Sequence, residues 1–176
     1  MAFEPIVATG PRGALPHARP SERAIATGNL VVIDMGGVFD GYCSDLTRTV
    51  AVGEPAPRAR AAYETVRRAQ RAAIDAARSG MTGKELDRVA RRVIEADGLG
   101  EYLSHSLGHG VGVEIHEWPR LSQQVEHVLP EGATVTIEPG VYVPGAFGIR
   151  IEDVVVLHID GCENLTPLPT DLIVVT

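Results

Sequence analysis

Residues 30–36, LVVIDMG, form an unbroken apolar run with β-branched side chains, the pattern of a buried strand. Residues 42–53, YCSDLTRTVAVG, make a second strand candidate. Asp40-Gly41 lies between them and is a strong signal for a two-residue hairpin loop. Such a loop sets Phe39 opposite Tyr42 and Asp34 opposite Thr47. Asp45 then falls two residues along on the face of Asp34, a diagonal neighbour roughly 7–8 Å away at the backbone. The first residues, MAFEPIVATG, read as a further strand already under way.

The period then changes. Residues 57–79 are rich in Ala and Arg and read as a helix closed by Gly80, with Tyr63, Val66, Ala73 and Ala77 on one stripe. Residues 83–97 predict a second helix. Thr82 and Glu85 fit a capping box and Gly98 a terminator, with Leu86, Val89 and Val93 as the buried face. Both helices are expected to cover a sheet rather than to carry chemistry. Beyond them the chain returns to strands and turns. SLGHGVGVEIHEWP, residues 106–119, joins glycine-rich and alternating apolar stretches. TVTIEPGVYVPG and FGIRIEDVVVLHID predict another hairpin, with Pro144-Gly145 in its turn and Glu138 and Glu152 on neighbouring strands. LIVVT closes the chain as a short apolar strand. Two carboxylate-bearing hairpins separated by helices suggest an internal two-fold arrangement.

Composition narrows the function classes. The 176 residues suffice for one domain with a core, or for one domain of a larger protein. The net charge of −7 argues against a nucleic-acid surface and against an anionic membrane. No apolar run approaches the length of a membrane span, and the first residues lack the pattern of a secretory signal. Cys43 and Cys162 make neither a metal spacing nor a disulfide framework, which points to a reducing cytoplasm.

Candidate chemistry rests on Asp34, Asp45, His109, Glu138 and Glu152. Four carboxylates and an imidazole form a hard donor set that suits manganese, cobalt or iron. Singly, each has an ordinary reading as a cap or a solvated group. Asp34 and Glu138, however, sit in or beside strongly apolar strands, where an unpaired carboxylate costs several kcal/mol or becomes protonated. A shared cation removes that cost; an ion network through Arg48 and Arg150 is the structural alternative. His105, His109 and His116 share one glycine-rich stretch, where Gly108, Gly110 and Gly112 would let backbone pass close to a ligand. His127 and His158 have no such setting and read as surface or edge residues.

The segments IDMGGVFDGYCSDLTRT, SLGHGVGVEIHEWP, TIEPGVYVP and GIRIED closely resemble the pita-bread metallopeptidases, and among them the Xaa-Pro peptidases, aminopeptidase P and prolidase. The resemblance covers nearly the whole chain. It implies an α+β pita-bread fold, pseudo-two-fold, with an antiparallel sheet covered by helices. It also implies two divalent metal ions, most simply Mn²⁺, with Co²⁺, Zn²⁺ or Fe²⁺ as other choices. By the same likeness Asp34 chelates one ion, while Asp45 and Glu152 bridge both. His109 and Glu138 hold the other ion, and Glu138 shuttles a proton. The ions would share a water, and the resulting hydroxide would attack the peptide carbonyl at an Xaa-Pro bond. His116 would orient the substrate and stabilise the oxyanion. His17 matches a substrate-side histidine. His105 and Arg150 match positions that separate Xaa-Pro peptidases from methionine aminopeptidases, and Tyr142 joins the substrate-binding group.

The likeness implies further that residues 1–176 are one catalytic domain truncated at its N-terminus. Two helices of the first structural repeat, and an additional N-terminal domain, would precede FEPIVATG in the family. A sheet face without its helices would be exposed. The expected partner is a peptide substrate; the oligomeric state is left open, a homodimer being one option. Two other readings stand beside this one: a non-catalytic pita-bread module that binds peptide or protein, and a methionine aminopeptidase. Retention of all five ligand positions weighs against the first; His105 and Arg150 weigh against the second.

Overall fold

The computed structural model describes all residues, Met1–Thr176. The strands are β1 (Ile6–Thr9), β2 (Leu30–Met35), β3 (Val38–Phe39), β4 (Tyr42–Cys43), β5 (Leu46–Val52), β6 (Gly108–Gly110), β7 (Glu117–Leu121), β8 (Thr134–Ile137), β9 (Gly140–Val143), β10 (Phe147–Arg150), β11 (Asp153–His158), β12 (Gly161–Asn164) and β13 (Val174–Val175). The helices α1 (Pro57–Ala76) and α2 (Gly83–Ala96) stand between β5 and β6. One sheet has the order β1-β2-β5-β13 and another β12-β11-β8-β6-β7; β3–β4 and β9–β10 are separate two-stranded ladders.

Each half of the chain contributes one long hairpin with an interruption near its middle. In the first, Asp34 pairs with Thr47, as expected, and the register resumes beyond a break with Phe39 opposite Tyr42. Asp40 and Gly41 both take positive φ, 48° and 85°, as a tight hairpin turn requires. The predicted strand over 42–53 is thus two strands, β4 and β5, and Asp45 lies in the gap between them. In the second hairpin Ile137 pairs with Asp153 and Gly140 with Arg150. Glu138 and Glu152 therefore face each other across its gap. The hairpins meet where the Glu152 amide donates to the Thr47 carbonyl at 3.1 Å, and where Thr49 Oγ1 accepts from the Arg150 amide at 3.1 Å.

The core lies between the sheets and the two helices, with Leu30, Ala51, Tyr63, Val66, Leu86, Ile94, Ile137, Ile149 and Leu157 among its residues. All four residues of the predicted α1 stripe are buried. The helix begins on Pro57, whose missing amide costs nothing at a first turn, and ends at Ala76, before the predicted limit of 79, where Ala77 turns extended. In α2 the Thr82–Glu85 capping box forms in full. Its buried face is one residue out of phase with expectation: Leu86, Ala90 and Ile94 are buried, while Val89 and Val93 are only half-buried. Asp87, beside Leu86, is buried as well, so polar pairing competes with apolar periodicity in choosing the face. On the first sheet Val7 and Met35 are half-exposed, while Val31 on the same face is buried.

Candidate metal centre and its cleft

The interruptions of the two hairpins place the carboxylates. Backbone that leaves the ladder at 44–45, 138–139 and 151–152 aims side chains inward that a continuous strand would alternate between faces. Donor atoms of Asp45, His109 and Glu152 lie within 4.8 Å of one another. His109 Nε2 is 3.2 Å from Glu138 Oε1 and 3.8 Å from Asp45 Oδ2. Asp34 stands at the rim of this group, with Oδ2 held by Arg150 Nη2 at 2.5 Å and Oδ1 buried without any partner.

The tautomer of His109 follows from its other nitrogen. Nδ1 lies 3.0 Å from the Gly110 carbonyl, which can only accept, so the Nδ1 proton is donated there. The neutral ring then turns the Nε2 lone pair toward two carboxylates. That arrangement is repulsive unless a proton or a cation lies between them. Burial opposes charge on His109, but Glu138 and Asp45 outweigh it and raise its pKa. Burial, with Asp34 and Glu138 nearby, pushes Asp45 up to about 7. Glu152 is raised well above the carboxylate range by burial and by Glu138, Asp45 and Asp34. Burial works the same way on Glu138, but His109, His105 and Arg150 reverse it and hold this carboxyl low.

These residues therefore form a donor cluster short of positive charge. Arg48, one of the two arginines weighed as a structural partner, is engaged elsewhere: it pairs with Asp153 at 2.6 Å and donates to the Glu152 backbone carbonyl at 2.6 Å. Only Arg150 reaches the cluster. A hard divalent cation fits the remaining deficit, since the donors are oxygen and imidazole nitrogen and one buried carboxylate oxygen is unpartnered.

The cluster opens into a cleft of about 520 Å³ whose wall includes His17, Asp34, His105, His109, His116, Arg120, Glu138, Arg150 and Glu152. His116 is exposed and packs edge-on to His109, ring centres 4.3 Å apart. Burial and then His109 lower its pKa. His17 is exposed on the loop after the Gly10–Ala14 turn, anchored where Arg150 Nη1 donates to the Pro16 carbonyl at 3.2 Å. His105 Nδ1 donates to the Ser106 carbonyl at 2.7 Å, so Nε2 accepts from the Tyr142 hydroxyl at 2.8 Å. That hydroxyl accepts in turn from Arg150 Nη1 at 2.8 Å. Tyr142, expected among the substrate-binding residues, is buried, and its hydroxyl contacts His105 and Arg150.

The glycines flanking His109 are required by the packing of the sheet. A Cβ on Gly108 would lie 2.0 Å from the Thr136 carbonyl oxygen and one on Gly110 2.4 Å from that of Trp118. Thr47 is not among the residues for which the sequence suggested a role in the site. It is fully buried, donates to Glu152 Oε2 at 2.6 Å and accepts from Arg150 Nε at 3.1 Å. The only signal for it was its register opposite Asp34.

Residues 1–158 match metallopeptidase family M24. The Xaa-Pro dipeptidase of Pyrococcus furiosus is 52% identical over 172 residues, which are 98% of this chain and 49% of the relative. That of Lactobacillus delbrueckii subsp. lactis is 48% identical over 171 residues, 97% of this chain and 46% of the relative. The crystal structure of X-Pro aminopeptidase from Thermotoga maritima matches with a TM-score of 0.96 at 48% identity, over 99% of this chain and 49% of the other. Prolidase from Pyrococcus furiosus matches at 0.94 and 52%, over 96% of this chain and 50% of the other. The chain thus spans about half the length of the curated relatives it matches. The fold is the α+β pita-bread fold that the motifs resemble, and the chain belongs to metallopeptidase family M24.

Proposed function

We propose that this chain carries the hydrolytic centre of a dinuclear metal-dependent peptidase that cleaves the Xaa-Pro bond at the N-terminus of a peptide or dipeptide. The observation that carries the reading is the convergence of Asp45, His109 and Glu152 within 4.8 Å, beside a buried Asp34 oxygen that nothing in the protein satisfies. Asp34, Asp45, His109, Glu138 and Glu152 would hold two divalent ions, with Mn²⁺ the first candidate on the hardness of the donors. Bound there, the ions would supply Lewis acidity and ease the deprotonation of water near neutral pH.

The chain's own groups do the rest. Glu138 is held ionised by His109, His105 and Arg150 against its burial, so it can take a proton at Oε2 and return it to the leaving nitrogen. His116 faces the cleft beside His109 and can donate to an oxygen that gains charge as the carbonyl becomes tetrahedral. His17 and His105 line the same cleft, His17 with an exposed imidazole and His105 with its ring fixed by Ser106 and Tyr142. Arg150 is largely committed to Asp34, Tyr142, Thr47 and Pro16, so it orients Asp34 and, through Tyr142, His105. The family membership and the Xaa-Pro peptidases among the relatives support the substrate class. Two free cysteines support a reducing compartment, the cytoplasm.

The test is an assay of the folded, manganese-loaded chain on an Xaa-Pro dipeptide, an Xaa-Pro-peptide and a Met-Ala peptide. Turnover of an Xaa-Pro substrate with no cleavage of Met-Ala is expected. A folded, metal-loaded chain with no turnover overturns the reading for this chain.

A further inference from the structure

Buried Asp87 and partly buried Arg91 form an ion pair on α2, outside the cleft. Asp87 is 1% exposed. Arg91 grips it with two bonds, Nε to Oδ2 at 2.8 Å and Nη2 to Oδ1 at 3.1 Å. With its amide oxygen turned to the guanidinium, Gln123 accepts from Arg91 Nε at 2.8 Å. A helix that only covers a sheet needs no buried charge on its inner face, and a buried pair is weak as a stabilising device. This one reaches outward at two points. Asp87 Oδ1 accepts from the Leu107 amide at 3.1 Å, and Arg91 Nη2 donates to the His105 carbonyl at 3.3 Å.

Both points lead to the cleft. The Leu107 carbonyl, on the residue whose amide Asp87 holds, accepts from the Glu138 amide at 2.9 Å. The His105 ring, on the residue whose carbonyl Arg91 holds, contacts Tyr142, and Tyr142 contacts Arg150. Residues 105–107 lie outside any strand and have no ladder of their own to set their position. We propose that the Asp87–Arg91 pair is a positioning unit for the cleft, setting His105 and Glu138 through the backbone of residues 105–107. The catalytic consequence rests on the Xaa-Pro peptidase reading; the placement of His105 does not.

The test compares Arg91→Met with the double variant Asp87→Asn/Arg91→Met in the full chain. Arg91→Met strands a buried charge, so its melting temperature falls; the double variant removes that charge and regains it. If the pair positions the cleft, both variants lose about 10–100-fold in kcat/KM on an Xaa-Pro dipeptide, the range for groups that orient a metal site from behind. The imidazole NMR signals of His105 move in both, while those of His127 and His158 stay. A double variant with wild-type stability and wild-type turnover, or an unmoved His105 signal, overturns the proposal. An inactive wild-type chain overturns the peptidase reading alone, and the His105 signal then decides this one.

Discussion

Thr47 Oγ1 donates a 2.6 Å hydrogen bond to Glu152 Oε2 across 105 residues of chain. The same oxygen accepts from Arg150 Nε, so one hydroxyl ties the first hairpin to the second and sets the orientation of a buried carboxylate. Thr47→Val keeps the shape and removes the hydroxyl. It leaves a carboxylate oxygen and a guanidinium nitrogen without a partner, a loss of about 1–3 kcal/mol. Denaturant unfolding should show that loss. Titration calorimetry should show Mn²⁺ binding weakened about 10–100-fold. Unchanged affinity would mean that Glu152 does not need Thr47 to face the centre.

Asp45 and His116 should separate metal holding from turnover. Asp45 lies inside the donor cluster, whereas His116 touches it only through the His109 ring. Asp45→Ala should abolish stoichiometric binding of two ions, measured by elemental analysis after gel filtration. His116→Ala should keep the ions and lower kcat about 100-fold or more, as loss of an oxyanion donor does. Two ions retained in Asp45→Ala would show that the ligand assignment is wrong.

The metal-free protein should lose stability as pH rises. Asp45 is near 3.8 when unperturbed and about 7 in the fold, and Glu152 and His109 are shifted in the same direction. A raised pKa means that the folded chain holds protons which the unfolded chain has released. That stabilisation is complete below the ordinary carboxylate range and is lost as pH climbs through the folded values. Below about pH 6.5, His105 and His116, whose pKa values are lowered, oppose this trend; thermal melts in chelator should therefore show a falling midpoint from about pH 6.5 to pH 8. Manganese should restore it most at the upper end, where cations replace the missing protons. A flat midpoint in chelator would contradict the crowding of carboxylates.

Much of this arrangement is local and was readable. Asp40-Gly41 determines a turn, the turn determines a register, and the register puts Asp34 opposite Thr47. Thr82 and Glu85 cap α2 through contacts three residues apart. The second hairpin brings Glu138 against Glu152 by the same logic. What was misread lies where tertiary partners override period. The inner face of α2 follows Asp87 and its bonds to residue 107 as well as Leu86.

The sequence by itself determined the two hairpins, the two helices, and the motifs that place the chain in its family. Short-range turn chemistry and alternation are enough for these. Only the tertiary structure decided which charges find partners: Arg150 with Asp34, Arg48 with Asp153, and Thr47 with Glu152. Such pairs join side chains more than a hundred residues apart. They depend on how one hairpin packs against the other, and no local pattern records that.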